Sequence, residues 1–170
     1  MVSGIYVPAD ADQPLEQREF ATFDDLAAAV DGWTTTVDLL DLGVTIYVNE
    51  EGLLRHLPFN SRASFLWWYH VPRTRQQAML VGNAVLVGLP GRDGKDTDLP
   101  DAVRELLLAP VAYGVEVCRG VDSKWHTSPV TYPDYWEAII WAMVLLERLD
   151  DVEEVRVVPV DPEGAEQRTT

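Results

Sequence analysis

The chain has 170 residues, one domain's worth by size, and is long enough to bury about 70 % of its unfolded surface without metals or disulfides. Apolar residues make up 47 % of it, which argues against a disordered chain. Its 28 acids and 13 bases leave a net charge of −15, which argues against a protein that coats nucleic-acid phosphates or holds anionic membranes through a basic face.

The N-terminus has no basic segment followed by a long apolar run, so no signal peptide is expected. The longest unbroken apolar run, residues 138–146, is nine residues, whereas a membrane span needs about 20. A cytoplasmic protein is expected. In chain order, residues 5–7 read as a short strand stopped by Pro8, and residues 15–20 as a second one. Thr22 followed by Asp24 and Asp25 predicts a helix start, with Gly32 at its end. Residues 33–40 and 43–48 read as strands, and Asn49-Glu50-Glu51-Gly52 as a hairpin tip from which residues 53–57 return. A helix is expected over 61–69, and a strand region over 78–89 broken at Gly82-Asn83. A glycine-rich charged loop over 88–98 leads into a helix that runs to about Leu108. Residues 111–119 alternate as a strand, and Cys118 within them reads as a buried structural thiol. Tyr132-Pro133-Asp134 opens a helix to about Asp150, apolar almost all round, and residues 154–160 close as a strand. Strands grouped with one another rather than alternating strictly with helices predict an α+β fold: a mixed or antiparallel sheet against three to four helices in a single compact unit.

Motifs for chemistry fail on their spacing. In Gly88-Leu89-Pro90-Gly91-Arg92-Asp93-Gly94-Lys95-Asp96, a phosphate-binding loop would need glycine where Leu89 stands and a hydroxyl where Asp96 stands. Counted from Asp93 as a calcium loop, the twelfth position holds Arg104 rather than glutamate. His56, His70 and His126 stand apart, with no spacing that closes a metal site, and no serine lies in a strand–turn–helix elbow. No metal, no cofactor and no enzymatic activity are therefore expected.

Charge is uneven: residues 1–60 carry −9, residues 61–100 carry +2 and residues 101–170 carry −8. The middle segment interleaves Arg62, Trp67, Tyr69, Arg73 and Arg75, the chemistry of nucleotide recognition, although aromatics at helical spacing also make core. The skew to 11 Arg over 2 Lys admits a compositional origin for the acidity as well.

Three segments in order carry a resemblance: Tyr47-Val48-Asn49-Glu50-Glu51-Gly52, then Leu57-Pro58-Phe59-Asn60 with Arg62 and Ala63, then Val81-Gly82-Asn83-Ala84-Val85-Leu86-Val87-Gly88. Together they resemble the domain-of-unknown-function family DUF3846 over residues 2–90, with Asn49, Glu50, Glu51, Gly52 and Asn60 as the motif positions. Residues 91–160 then read as a lineage-specific extension packed on the same core, and 161–170 as a flexible tail. The resemblance implies a phage- or plasmid-borne accessory protein and no particular chemistry. Combined with the charge, it points to an acidic protein that acts by protein–protein interaction, as a DNA mimic against a host restriction or defence enzyme. On the duplex scale of one charge per about 1.7 Å, the net charge stands in for roughly eight base pairs. The acids expected to carry this are Asp24, Asp25, Asp31, Asp38 and Asp41 on one flank, and Glu147, Asp150, Asp151, Glu153 and Glu154 on the other. The expected partner is a host protein, foremost a DNA-binding enzyme; a homodimer is left open, and neither nucleic acid nor membrane is expected to be bound directly. The alternative is a module that captures a nucleotide through Arg62, Arg73 and Arg75, with Trp67 or Tyr69 stacking the base.

Overall fold

Residues 84–88 form an apolar run without the alternation of a half-exposed strand, which calls for burial on both faces, whereas in residues 44–48 Val44, Ile46 and Val48 alternate with Thr45 and Tyr47. The computed structural model, which describes residues 1–120 and 123–161, puts both at the centre of a sheet. Strands β1 (Val2–Val7), β2 (Glu16–Phe20), β3 (Thr34–Leu39), β4 (Val44–Asn49) and β5 (Ala84–Gly88) form it in the order β2-β1-β5-β4-β3, with every neighbour antiparallel. All eleven residues of β4 and β5 are buried. One face carries Phe20, Tyr47, Val85 and Val87, which pack with Leu26 and Val30 of helix α1 (Phe23–Ala29) and its end. The residues of alternate register, Ile5, Ile46 and Leu86, are fully buried on the opposite face.

Helix α1 begins where the chain's chemistry says it should. The Thr22 hydroxyl accepts from the Asp25 N–H, and the Asp25 carboxylate accepts from the Thr22 N–H at 2.8 Å, a reciprocal capping box. Helix α2 (Ser61–His70) is capped by Asn60, and α3 (Asp101–Leu108) follows the glycine-rich loop.

Contacts divide the chain into two units, Met1–Glu105 and a second that begins at Leu106. In the second, β6 (Tyr113–Arg119) lies between β7 (Trp125–Tyr132) and β8 (Val152–Pro159), again antiparallel, and α4 (Tyr135–Arg148) packs on these strands. The α+β class and antiparallel pairing hold; the strands fall into two sheets.

Four local expectations are corrected. Asn49-Glu50-Glu51-Gly52 is no hairpin tip, because the neighbours of β4 are β3 and β5, both reached from elsewhere in the chain. Residues 53–56 are turns rather than a returning strand, with Arg55 N–H bonded to Glu51 O and Leu57 N–H to Gly52 O. Strand β7 was not expected: it is an exposed edge with Pro129 inside it, so it has no apolar period to read. Cys118 is half-buried, on the face of β6 opposite Val115 and Val117. The part of the expected tail beyond Asp161 lies outside the described residues.

Candidate functional site

The two asparagines of the motif are structural. Asn49, only 4 % exposed at the end of β4, donates its amide to Val30 O at 3.1 Å and Asp31 O at 2.8 Å, while its Oδ1 accepts from the Glu51 N–H at 2.8 Å. It thereby ties the end of α1 to the turn that follows β4. Arg55 adds a second clamp, donating to the Asp31 backbone and pairing with the Asp31 carboxylate at 2.8 Å. Asn60 is fully buried: it donates to Val7 O at 3.0 Å and Gly82 O at 2.9 Å, and its Oδ1 caps α2 at the Ala63 N–H. A buried amide with three partners joins elements far apart in sequence at little desolvation cost. Gly52 completes the set, since a Cβ there would stand 2.7 Å from Val81 Cγ2.

With Asn49 and Gly52 turned inward, Glu50 and Glu51 are exposed, followed in the chain by exposed Leu53 and Leu54. Trp33, 73 % exposed, accepts from the Glu50 N–H at 2.7 Å through its backbone carbonyl.

The acids of the first flank are all exposed and sit on separate elements: Asp24 and Asp25 in the first turn of α1, Asp31 after its end, Asp38 on β3 and Asp41 in the β3–β4 turn. Most also have local work. Backbone hydrogen bonds from Thr22 hold the Asp25 carboxyl below its usual range. Asp31 pairs with Arg55, Asp38 accepts from the Thr45 hydroxyl at 2.7 Å, and Asp41 lies 2.6 Å from Nδ1 of His70, whose side chain is 7 % exposed. The second flank is denser. Glu147, Asp150, Asp151, Glu153 and Glu154 are all exposed and lie within eight residues, where α4 turns into β8. Asp151 pairs there with Arg119.

The arginine–aromatic segment is spread out. Arg62 sits at the start of α2 and Arg73 and Arg75 beyond its end, a separation of about 15 Å along a ten-residue helix. Arg62 donates to Pro8 O and Asp10 O, and burial lowers the pKa of its guanidinium. Arg75 donates to Trp68 O at 3.2 Å, and Trp67 and Tyr69 are half-buried.

The first unit also holds a groove of about 700 Å³ that motif reasoning missed. Its lining includes Phe20, Phe23, Leu26, Tyr47, Lys95 and Asp96. The Tyr47 hydroxyl donates to the Asp96 carboxylate, 2.9 Å from Oδ1 and 3.0 Å from Oδ2. Burial, then the hydrogen bond to Asp96 and its charge, push the Tyr47 pKa up to about 12. The two residues are 49 positions apart, so no spacing rule could join them.

The family described as domain of unknown function (DUF3846) matches residues 5–111. The chain belongs to this family. The match includes all three segments that carried the resemblance, and runs past them through the glycine-rich loop and α3. Within DUF3846 architecture, then, lie the asparagine staples, the Arg55 clamp and the Tyr47–Asp96 groove. No curated protein and no solved structure matches the chain. Among the described residues no group of His, Cys, Asp and Glu could hold a metal ion, and no helix is long and apolar enough to cross a membrane.

Proposed function

We propose that this DUF3846 protein is an acidic accessory protein of a phage or plasmid, and that it works by occupying the DNA-binding surface of a host protein. The observation that carries the reading is the α4–β8 corner, where five exposed carboxylates fall within eight residues. Such density of like charge destabilises the fold locally and is retained most simply if a cationic surface meets it. The first unit offers a contact surface of its own, with exposed Trp33, Leu53 and Leu54 as apolar anchors beside exposed Glu50 and Glu51. In this reading the protein binds and does not catalyse, and it acts in the host cytoplasm.

The test is capture from a host lysate followed by competition. The retained protein should be a DNA-binding one, and duplex DNA should displace it from the wild-type chain. Neutralising the corner with D150N, E153Q and E154Q should weaken capture at least tenfold. A retained partner that duplex DNA leaves in place, or that binds the neutralised variant equally well, contradicts the reading.

A further inference from the structure

Among the described residues each sheet has two outer strands, and three of these four are guarded against pairing with another chain. Strand β2 reads Glu16-Gln17-Arg18-Glu19-Phe20, β7 has Pro129 inside it, and β8 carries Glu153, Glu154 and Arg156 and ends on Pro159. Charges and proline are the usual obstacles to strand addition. Strand β3 holds no proline and a single charge. It reads Thr34-Thr35-Thr36-Val37-Asp38-Leu39, and the Asp38 carboxylate is engaged by the Thr45 hydroxyl at 2.7 Å. Threonine and valine favour the extended backbone.

The register fixes which way that backbone points. Trp33 O accepts from the Glu50 N–H, one step beyond the Thr34–Asn49 pair, so the positions that bond β3 to β4 are 35, 37 and 39. The N–H and C=O groups of Thr34, Thr36 and Asp38 therefore point away from β4, and no described strand lies on that side. An exposed apolar side chain stands at each end of this row, Trp33 at 73 % exposure and Leu40 at 74 %. At about 3.3 Å per residue the row spans roughly 23 Å, the reach of a seven- to eight-residue strand. At the Leu40 end opens a cleft of about 420 Å³, whose lining includes Leu40, His70, Pro72 and Arg73.

Charge selects what fits there. Both bases of residues 1–60, Arg18 and Arg55, are already in ion pairs, while Glu50 and Glu51 are exposed. Glu50 stands cross-strand from Trp33, which puts their side chains on one face. An exposed indole with a carboxylate on its face suits a guanidinium or ammonium group. A second copy fits worse, since its own β3 edge brings the same net −9 of residues 1–60.

We propose that β3 receives an extended segment of another protein as a sixth strand, antiparallel to it, with an arginine or lysine against Trp33 and Glu50 and an apolar side chain at the Leu40 end. The backbone groups of Thr34, Thr36 and Asp38 hold the segment, and the two ends select it. None of the acids at the α4–β8 corner takes part, so this proposal and the one above can fail separately.

The probe is a capped octapeptide, Leu-Thr-Val-Thr-Val-Thr-Val-Arg, titrated into the full-length protein and followed by amide chemical shifts. Saturable shifts centred on residues 33–40 are expected. Replacing the terminal arginine of the peptide by glutamate should weaken binding about tenfold, and so should W33A, at a position exposed enough to leave the fold intact. N-methylation of every second peptide residue keeps the side chains in place, and the phase that blocks the backbone bonds to β3 should abolish binding. No binding at millimolar peptide, shifts centred elsewhere, equal binding of the glutamate-ended peptide, or undiminished binding in both N-methylated phases each overturns the proposal. So do shifts at residues 34–38 when the protein alone is diluted, which would place a second copy on the edge.

Discussion

Asn60 makes three side-chain hydrogen bonds at zero exposure, to β1, to the Gly82 turn and to the first turn of α2. Its replacement by alanine strands buried partners on all three. N60A should therefore lose about 3 kcal/mol of unfolding free energy, measured by urea titration, well beyond the ~1 kcal/mol of an ordinary cap. Tyr47 gives a prediction in pH. Its proton is held more tightly in the fold than in the unfolded chain, from 10.0 up to about 12. The stabilisation is complete below about pH 10 and is lost as pH rises through about 12, since there the unfolded chain releases the proton first. The stability of wild type relative to Y47F should fall across that window; a difference that stays flat would contradict a phenol that is both buried and hydrogen-bonded to Asp96. At this scale the sequence was half legible. Asn49, Gly52 and Asn60 stood out as a pattern, but it is long-range backbone pairing that makes them staples, and no local reading reaches Val7 from Asn60. Tyr47 was visible within the motif strand and Asp96 only as an obstacle to phosphate; their meeting was not visible at all.

Among the elements, those with an apolar period or a cap were readable. Thr22 with Asp25 marked the start of α1, and the capping box is there. T22A should cost about 1 kcal/mol, seen as a lower urea midpoint with an unchanged slope, because one orphan N–H loses its acceptor while the core face of Leu26 stays packed. An apolar run marked β5, and the alternation of Val44, Ile46 and Val48 with Thr45 and Tyr47 marked β4, although in the fold both faces of β4 are buried, Thr45 included. Residues 53–57 misled, because leucines suit a strand as well as a turn, and Leu53 and Leu54 are exposed here. Strand β7 was silent for the opposite reason: its backbone pairs with β6 while most of its side chains face solvent. Cap chemistry and core periodicity are local and can be read; edge pairing is not.

For the molecule as a whole, the informative number is the charge, −15, and its division into −9, +2 and −8. In the first unit much of the acidity is tied to structure, as the capping of α1 by Asp25 and the pairing of Asp31 with Arg55 illustrate. At the α4–β8 corner five exposed acids, Asp151 with its Arg119 partner among them, are gathered within one short stretch, and the interaction proposal rests on that density. Counterion release makes such a surface measurable. The dissociation constant of the captured host protein should be determined from 50 mM to 500 mM salt for wild type and for the D150N/E153Q/E154Q variant. The account predicts that wild-type affinity falls steeply and linearly on logarithmic axes, and that the variant binds more weakly with a shallower slope. Affinity that is flat with salt, or the same slope in both proteins, would contradict it.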